Sequence, residues 1–106
     1  MKFLWAIIPE SVKNIINDKM TEIMDFDIPV EKISMNIYTL QKLVEEAKDE
    51  IVFLPCSYMD DEKKEMVGSI WGVSILIDTS LHDYDVIAEP EEMFKERLEE
   101  ERRKVA

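Results

Sequence analysis

Apolar residues fall along this chain in two rhythms, one of three and four and one of one and two, and the switches between them predict an order of elements. Phe3 to Ile8 is apolar on both faces, which predicts a short buried strand or a core-packed segment. Pro9 and Glu10 mark a helix start, since proline lacks an N–H where none is needed and an acid suits the positive end of the dipole. Val12, Ile15, Ile16, Met20, Ile23 and Met24 then recur at helical spacing, predicting an amphipathic helix over about 10–25. Pro29 disfavours helical dihedrals at Ile28 and ends it. Ile33 and Met35 alternate with Lys32 and Ser34, so 30–35 reads as a half-buried strand.

Asn36 is a good N-cap for a second helix, whose apolar face is Ile37, Leu40, Leu43, Val44 and Ala47 and which ends near Lys48. Ile51 to Leu54 predicts another short strand, closed by Pro55. Residues 56–65 contain Asp60-Asp61-Glu62-Lys63-Lys64-Glu65, an aperiodic polar run read as an exposed loop or hairpin tip. Val73, Ile75 and Ile77 project to one side of a strand, and Leu76 on the other predicts cover on both faces. A turn over 79–84 leads to a last strand over 85–88. Pro90 opens a final helix with acids in its first turn, Arg102-Arg103-Lys104 in its last, and a thin stripe of Met93, Phe94, Leu98 and Val105. Glu91 with Lys95, Glu99 with Arg103 and Glu100 with Lys104 stand at pairing distance on it.

This β-α-β-α-β-β-β-α order predicts an α+β fold: a mainly antiparallel sheet, two helices packed on one side, and a charged C-terminal helix. At 106 residues, 46% of them apolar, the chain suits a single domain that buries roughly two-thirds of its unfolded surface. Its core is expected over 1–89 and the charged helix over 90–106. Neither an internal repeat nor a linker interrupts it.

The only two glycines, Gly68 and Gly72, flank Trp71 just before the most strand-like run. Glycines so placed predict a bend, or a close backbone approach where a Cβ would not fit. Trp71 itself reads either as an exposed anchor for a partner or as a ring packed over the backbone that the glycines thin.

Charge narrows the function. Thirteen basic against twenty-four acidic residues give a net charge of −11, which opposes direct binding to nucleic acid or an anionic membrane, where Lys and Arg must displace counterions. The acidity serves solubility, attraction to a basic partner surface, or mimicry of DNA before a DNA-binding protein. One cysteine, Cys56, forms no intramolecular disulfide and fits a reducing compartment, so the cytoplasm of a cell or infected host is expected. The apolar start breaks at Pro9-Glu10, too soon for a signal peptide or a membrane span.

Candidate chemistry is sparse. Cys56 and His82 are the only possible cysteine-histidine pair, and lone cysteines are usually small buried hydrophobes. Asp78, Asp83 and Asp85 crowd one turn and could offer oxygens to a divalent ion, although aspartates also favour turns because they bond nearby backbone N–H groups. Gly68 and Gly72 precede a strand with no Lys-Ser/Thr behind them, so they make no phosphate loop. Met59 and Met66 flank the acidic run and suit an adaptable contact surface. No cofactor is expected, and the residues assigned to partner contact are Asp60, Asp61, Glu62, Trp71, Phe94 and Leu98.

Two segments carry a resemblance. Ile33-Ser34-Met35-Asn36-Ile37-Tyr38-Thr39-Leu40-Gln41-Lys42-Leu43 resembles the strand, Asn, Thr and helix start in the axial domain of tailed-phage major capsid proteins. The run from Gly68 to Asp78, then Leu81 and 85–88, is similar to that domain's returning hairpin, with its glycine, Val-x-Ile strand and leucine-bearing loop. The likeness covers about 30–90; the arm, long hairpin loop and spine helix of such proteins have no room in 106 residues. It implies a non-enzymatic phage or prophage structural or interaction module, located in host cytoplasm or virion, that binds a protein partner or forms a homo-oligomer. Two alternatives are an acidic inhibitor occupying a basic nucleic-acid-binding surface of a host protein, and a metal-dependent enzyme using Asp78, Asp83 and Asp85.

Overall fold

The computed structural model describes residues 11–59 and 64–105, so the predicted strand at Phe3 to Ile8 and the acids Asp60, Asp61 and Glu62 lie outside the described residues. Within them the order is α1 (Val12–Met24), β1 (Val30–Met35), α2 (Ile37–Ala47), a 3-10 turn (Lys48–Glu50), β2 (Ile51–Met59), β3 (Glu65–Ile70), β4 (Val73–Ile77), β5 (Ile87–Pro90), a second 3-10 turn (Glu92–Phe94) and α3 (Lys95–Val105). The strands form one sheet in the order β2-β3-β4-β1-β5. Only β1 and β4 are parallel; the other three pairings are antiparallel. The fold is α+β with a mostly antiparallel sheet, as the sequence pattern predicts.

Alternation along the strands decides where the core sits. Ile33 and Met35 of β1 lie beside Ile75 and Ile77 of β4, and this face receives Val12 and Ile16 of α1 with Leu40, Leu43 and Ala47 of α2. Ser34 and Leu76, register partners on the opposite face, are also buried, so the predicted two-sided cover of β4 holds. Ile37 departs from its predicted core face: as the first residue of α2 it is exposed.

Two long-range contacts fix the helices. Ser11, before α1, makes no cap of its own; the Glu46 carboxylate at the end of α2 instead accepts from Ser11 Oγ at 2.6 Å, Val12 N at 2.9 Å and Lys13 N at 3.2 Å. One helix thus caps the free N–H groups of the other. Burial alone would push the Glu46 carboxyl up, but the bonds from Ser11, Val12 and Lys13 and the Lys13 charge together hold it below its ordinary 4.5.

The second contact centres on Asn36, which caps α2 as predicted by accepting from Thr39 N at 2.8 Å. Its amide Nδ2 also donates to Leu81 O at 3.1 Å and Asp83 Oδ1 at 2.8 Å, while Tyr84 N donates to Thr39 Oγ1 at 2.8 Å. The loop after β4 is therefore strapped to the start of α2.

Three strand assignments change. β3 replaces what reads as a lead into a glycine pair, because Gly68 and the polar run before it hide the alternation. β2 runs through Pro55 to Met59, which an edge strand tolerates because one side of it needs no N–H. The last strand is Ile87–Pro90 rather than 85–88, with Pro90 paired to Val30, and the final helix starts only at Lys95 after its 3-10 turn. Helix pairing follows suit: Arg103 meets Glu99 as expected, but Lys104 reaches Glu101, and Lys95 reaches Glu92 and Glu89.

Candidate interaction surface

Each glycine answers a different backbone demand. A Cβ at Gly68 would run into the Val52 carbonyl oxygen of the neighbouring strand, so this position tolerates no side chain. Gly72 sits at φ +79° and Trp71 at φ 52°, the two left-handed residues that a two-residue hairpin between β3 and β4 uses. Asparagine is the favoured first residue of such a turn. A tryptophan there costs roughly 1 kcal/mol of backbone strain.

The indole is nonetheless held outward. Trp71 is 42% exposed, and its Nε1 donates to Glu50 Oε1 at 3.1 Å. Glu50 is fixed in turn by Lys13 Nζ at 2.7 Å. The bond from Lys13, then that from Trp71, hold the Glu50 carboxyl below its usual range. The ring is tied to its own fold by its polar tip and leaves much of its surface open.

Register brings more apolar surface to the same corner. Ile51 pairs with Ile70, immediately before Trp71, and the next two residues of β2, Val52 and Phe53, are 67% and 48% exposed. The sequence predicts a short apolar strand here, but an apolar run does not reveal that it forms the sheet edge. All nine residues of β2 are uncharged. This is the available signal, since an open edge strand is usually guarded by charge.

The other assigned residues lie elsewhere. Leu98 is 5% exposed and packs with Ile23 and Ile28, with Phe94, Phe26, Val30 and Ala88 around them. Its place is therefore in the joint between α3 and its own domain, closed to a partner while the helix is docked. Phe94 is half-buried in the same cluster, whereas Met93 and Val105, predicted on the packed stripe, are exposed. Arg97 adds a bond to Phe26 O at 3.1 Å. Cys56 is exposed on β2 instead of buried, because its strand is an edge. Met59 is exposed too and lines an open cleft of about 620 Å³ with Ile77, Thr79 and Ser80.

The aspartates of the 78–85 turn do separate local work. Asp78 Oδ1 accepts from Ser80 Oγ at 2.6 Å and Ser80 N at 3.0 Å, while Oδ2 faces Lys64 at 3.5 Å. The Ser80 hydroxyl, then the Ser80 N–H, hold the Asp78 carboxyl low. Asp83 binds Asn36, and Asp85 donates its backbone N–H to His82 O at 3.1 Å. No group of three His, Cys, Asp or Glu arranged to hold a metal occurs among the described residues, so these aspartates form turns and are not gathered as a metal centre.

No helix among the described residues is long and apolar enough to cross a membrane. Compared with models of known protein families, with curated proteins and with solved structures, the chain matches none.

Proposed function

We propose that this chain is a non-enzymatic phage- or prophage-type structural or interaction module, a capsid-like axial domain that works by contact with a protein partner or with copies of itself. The observation that carries the contact role is Trp71: a bulky residue kept at a strained turn position that asparagine would fill more cheaply, with its ring open beside exposed Val52 and Phe53. Strain retained at an exposed aromatic points to use of the side chain. The phage character rests on the resemblance, and it is supported by the way the resembling residues meet: Asn36, Thr39 and the loop bearing Leu81 form one hydrogen-bonded strap beside the parallel pair β1 and β4.

The test is light scattering on a sizing column over a range of concentration and salt, joined to recovery of proteins that copurify with the tagged chain from infected or induced cells. A discrete oligomer that survives salt, or a phage structural protein recovered with the chain, supports the reading. Oligomer and recovered proteins both unchanged in the double variant Trp71→Ala, Phe53→Ala contradict it.

A further inference from the structure

β2 has an outward side whose hydrogen-bonding groups can be assigned. The Val52 carbonyl points at Gly68 of β3, so the N–H and C=O of Val52 face inward. Strand alternation turns those of Phe53, and the carbonyl of Ile51, away from β3. The Ile51 N–H is already bonded to Lys48 O. Pairing with β3 is broken between Phe53 and Tyr58, and Pro55 lies in that break with no N–H to leave bare, on a strand with nothing beyond it in the sheet of described residues. On one face this edge carries Phe53, on the other Val52, and at its start stands Trp71.

Resting on the proposed contact role, we infer that the Ile51–Leu54 edge of β2 accepts an added β-strand from a basic protein partner, with Trp71 and Phe53 as its anchors. Main-chain bonds to Phe53 and the Ile51 carbonyl would supply register, and side chains alternating along the incoming strand would flank Phe53 and Val52. Charge selects the occupant. The strand is uncharged in a chain of net charge −11. A second copy carries the same −11, so pairing two copies brings like net charges together. A strand bracketed by Lys or Arg meets the opposite net charge.

A yeast-displayed library of random twelve-residue peptides, selected on the folded chain, tests this. Enriched peptides should alternate β-branched or aromatic residues between Lys or Arg ends, and the synthesised peptides should slow amide hydrogen exchange at Phe53. Phe53→Pro, which removes the outward N–H, should weaken them about tenfold more than Phe53→Ala does, with thermal unfolding kept within a few degrees. If Phe53→Pro unfolds, exchange at Phe53 in the unaltered chain decides. Peptides that bind without protecting Phe53, or that keep their affinity after Lys and Arg become Glu, overturn strand addition while leaving a contact role elsewhere. No enrichment, with no protein recovered from cells, removes both readings.

Discussion

The two edges of the sheet are built differently. β5 is four residues long, ends in Pro90, and has Ala88 under Phe94 and Leu98 of the following segment. Its Glu89 is drawn into ion pairs with Lys64 at 3.9 Å and Lys95 at 3.6 Å. β2 is nine residues long, uncharged, and exposes Val52, Phe53 and Met59. Short length, proline, charge and a covering helix are the devices that keep a sheet edge from pairing. One edge has all four, and the other has a proline in mid-strand and a break in register between Phe53 and Tyr58. Among the described residues the guarded edge is β5 and the apolar, exposed one is β2, where the proposed contact falls.

The largest effect on this contrast comes from Gly68. Gly68→Ala places a methyl group against the Val52 carbonyl, which is backbone and cannot move aside cheaply. A loss of about 3 kcal/mol by urea unfolding is expected, with faster amide exchange in β2 than in β5. Equal loosening of both edges would mean that Gly68 does not anchor β2.

Next comes the guarded edge. Leu98→Ala empties a buried site and should cost about 2–3 kcal/mol, detaching α3 and raising dye binding to the surface around Ile23 and Ile28. Removal of 92–106 should have the larger effect of the same kind. Unchanged stability in both variants would show that α3 does not cover β5.

Glu46 ranks third. Glu46→Gln should cost about 1 kcal/mol at neutral pH, the size of a lost helix cap. The sign with pH follows from the lowered carboxyl: the contribution is complete above the ordinary 4.5 and disappears as pH falls through the folded value. The variant should therefore lose less stability than the parent between neutral and strongly acidic pH. An identical acid profile would remove Glu46 as the cap.

The smallest change in stability belongs to the open corner. Trp71→Asn creates the favoured turn pair with Gly72 and should leave stability equal or raise it by up to about 1 kcal/mol, while abolishing partner or peptide binding. Reduced stability with binding intact would assign Trp71 to the turn alone.

The sequence showed α1, β1 and α2 nearly to their ends, because each has a strong period and a local stop: Pro29 after α1, Asn36 before α2. β3 escaped it since Gly68 breaks the alternation for a reason that lies on β2. Glu46 and Asn36 act on partners 33 to 47 residues away, for which no local pattern exists. Trp71 stood out by its glycine neighbours. Val52 and Phe53 did not, because an apolar strand looks the same at the centre of a sheet as at its rim.

Residue-resolved amide hydrogen exchange on the free chain tests the open edge most directly. Val52, whose N–H faces β3, should be protected, and its neighbour Phe53 should exchange close to the rate of an unstructured peptide. Protection of Phe53 equal to that of Val52 would mean that β2 is already covered, and the account of it as the contact edge would fail.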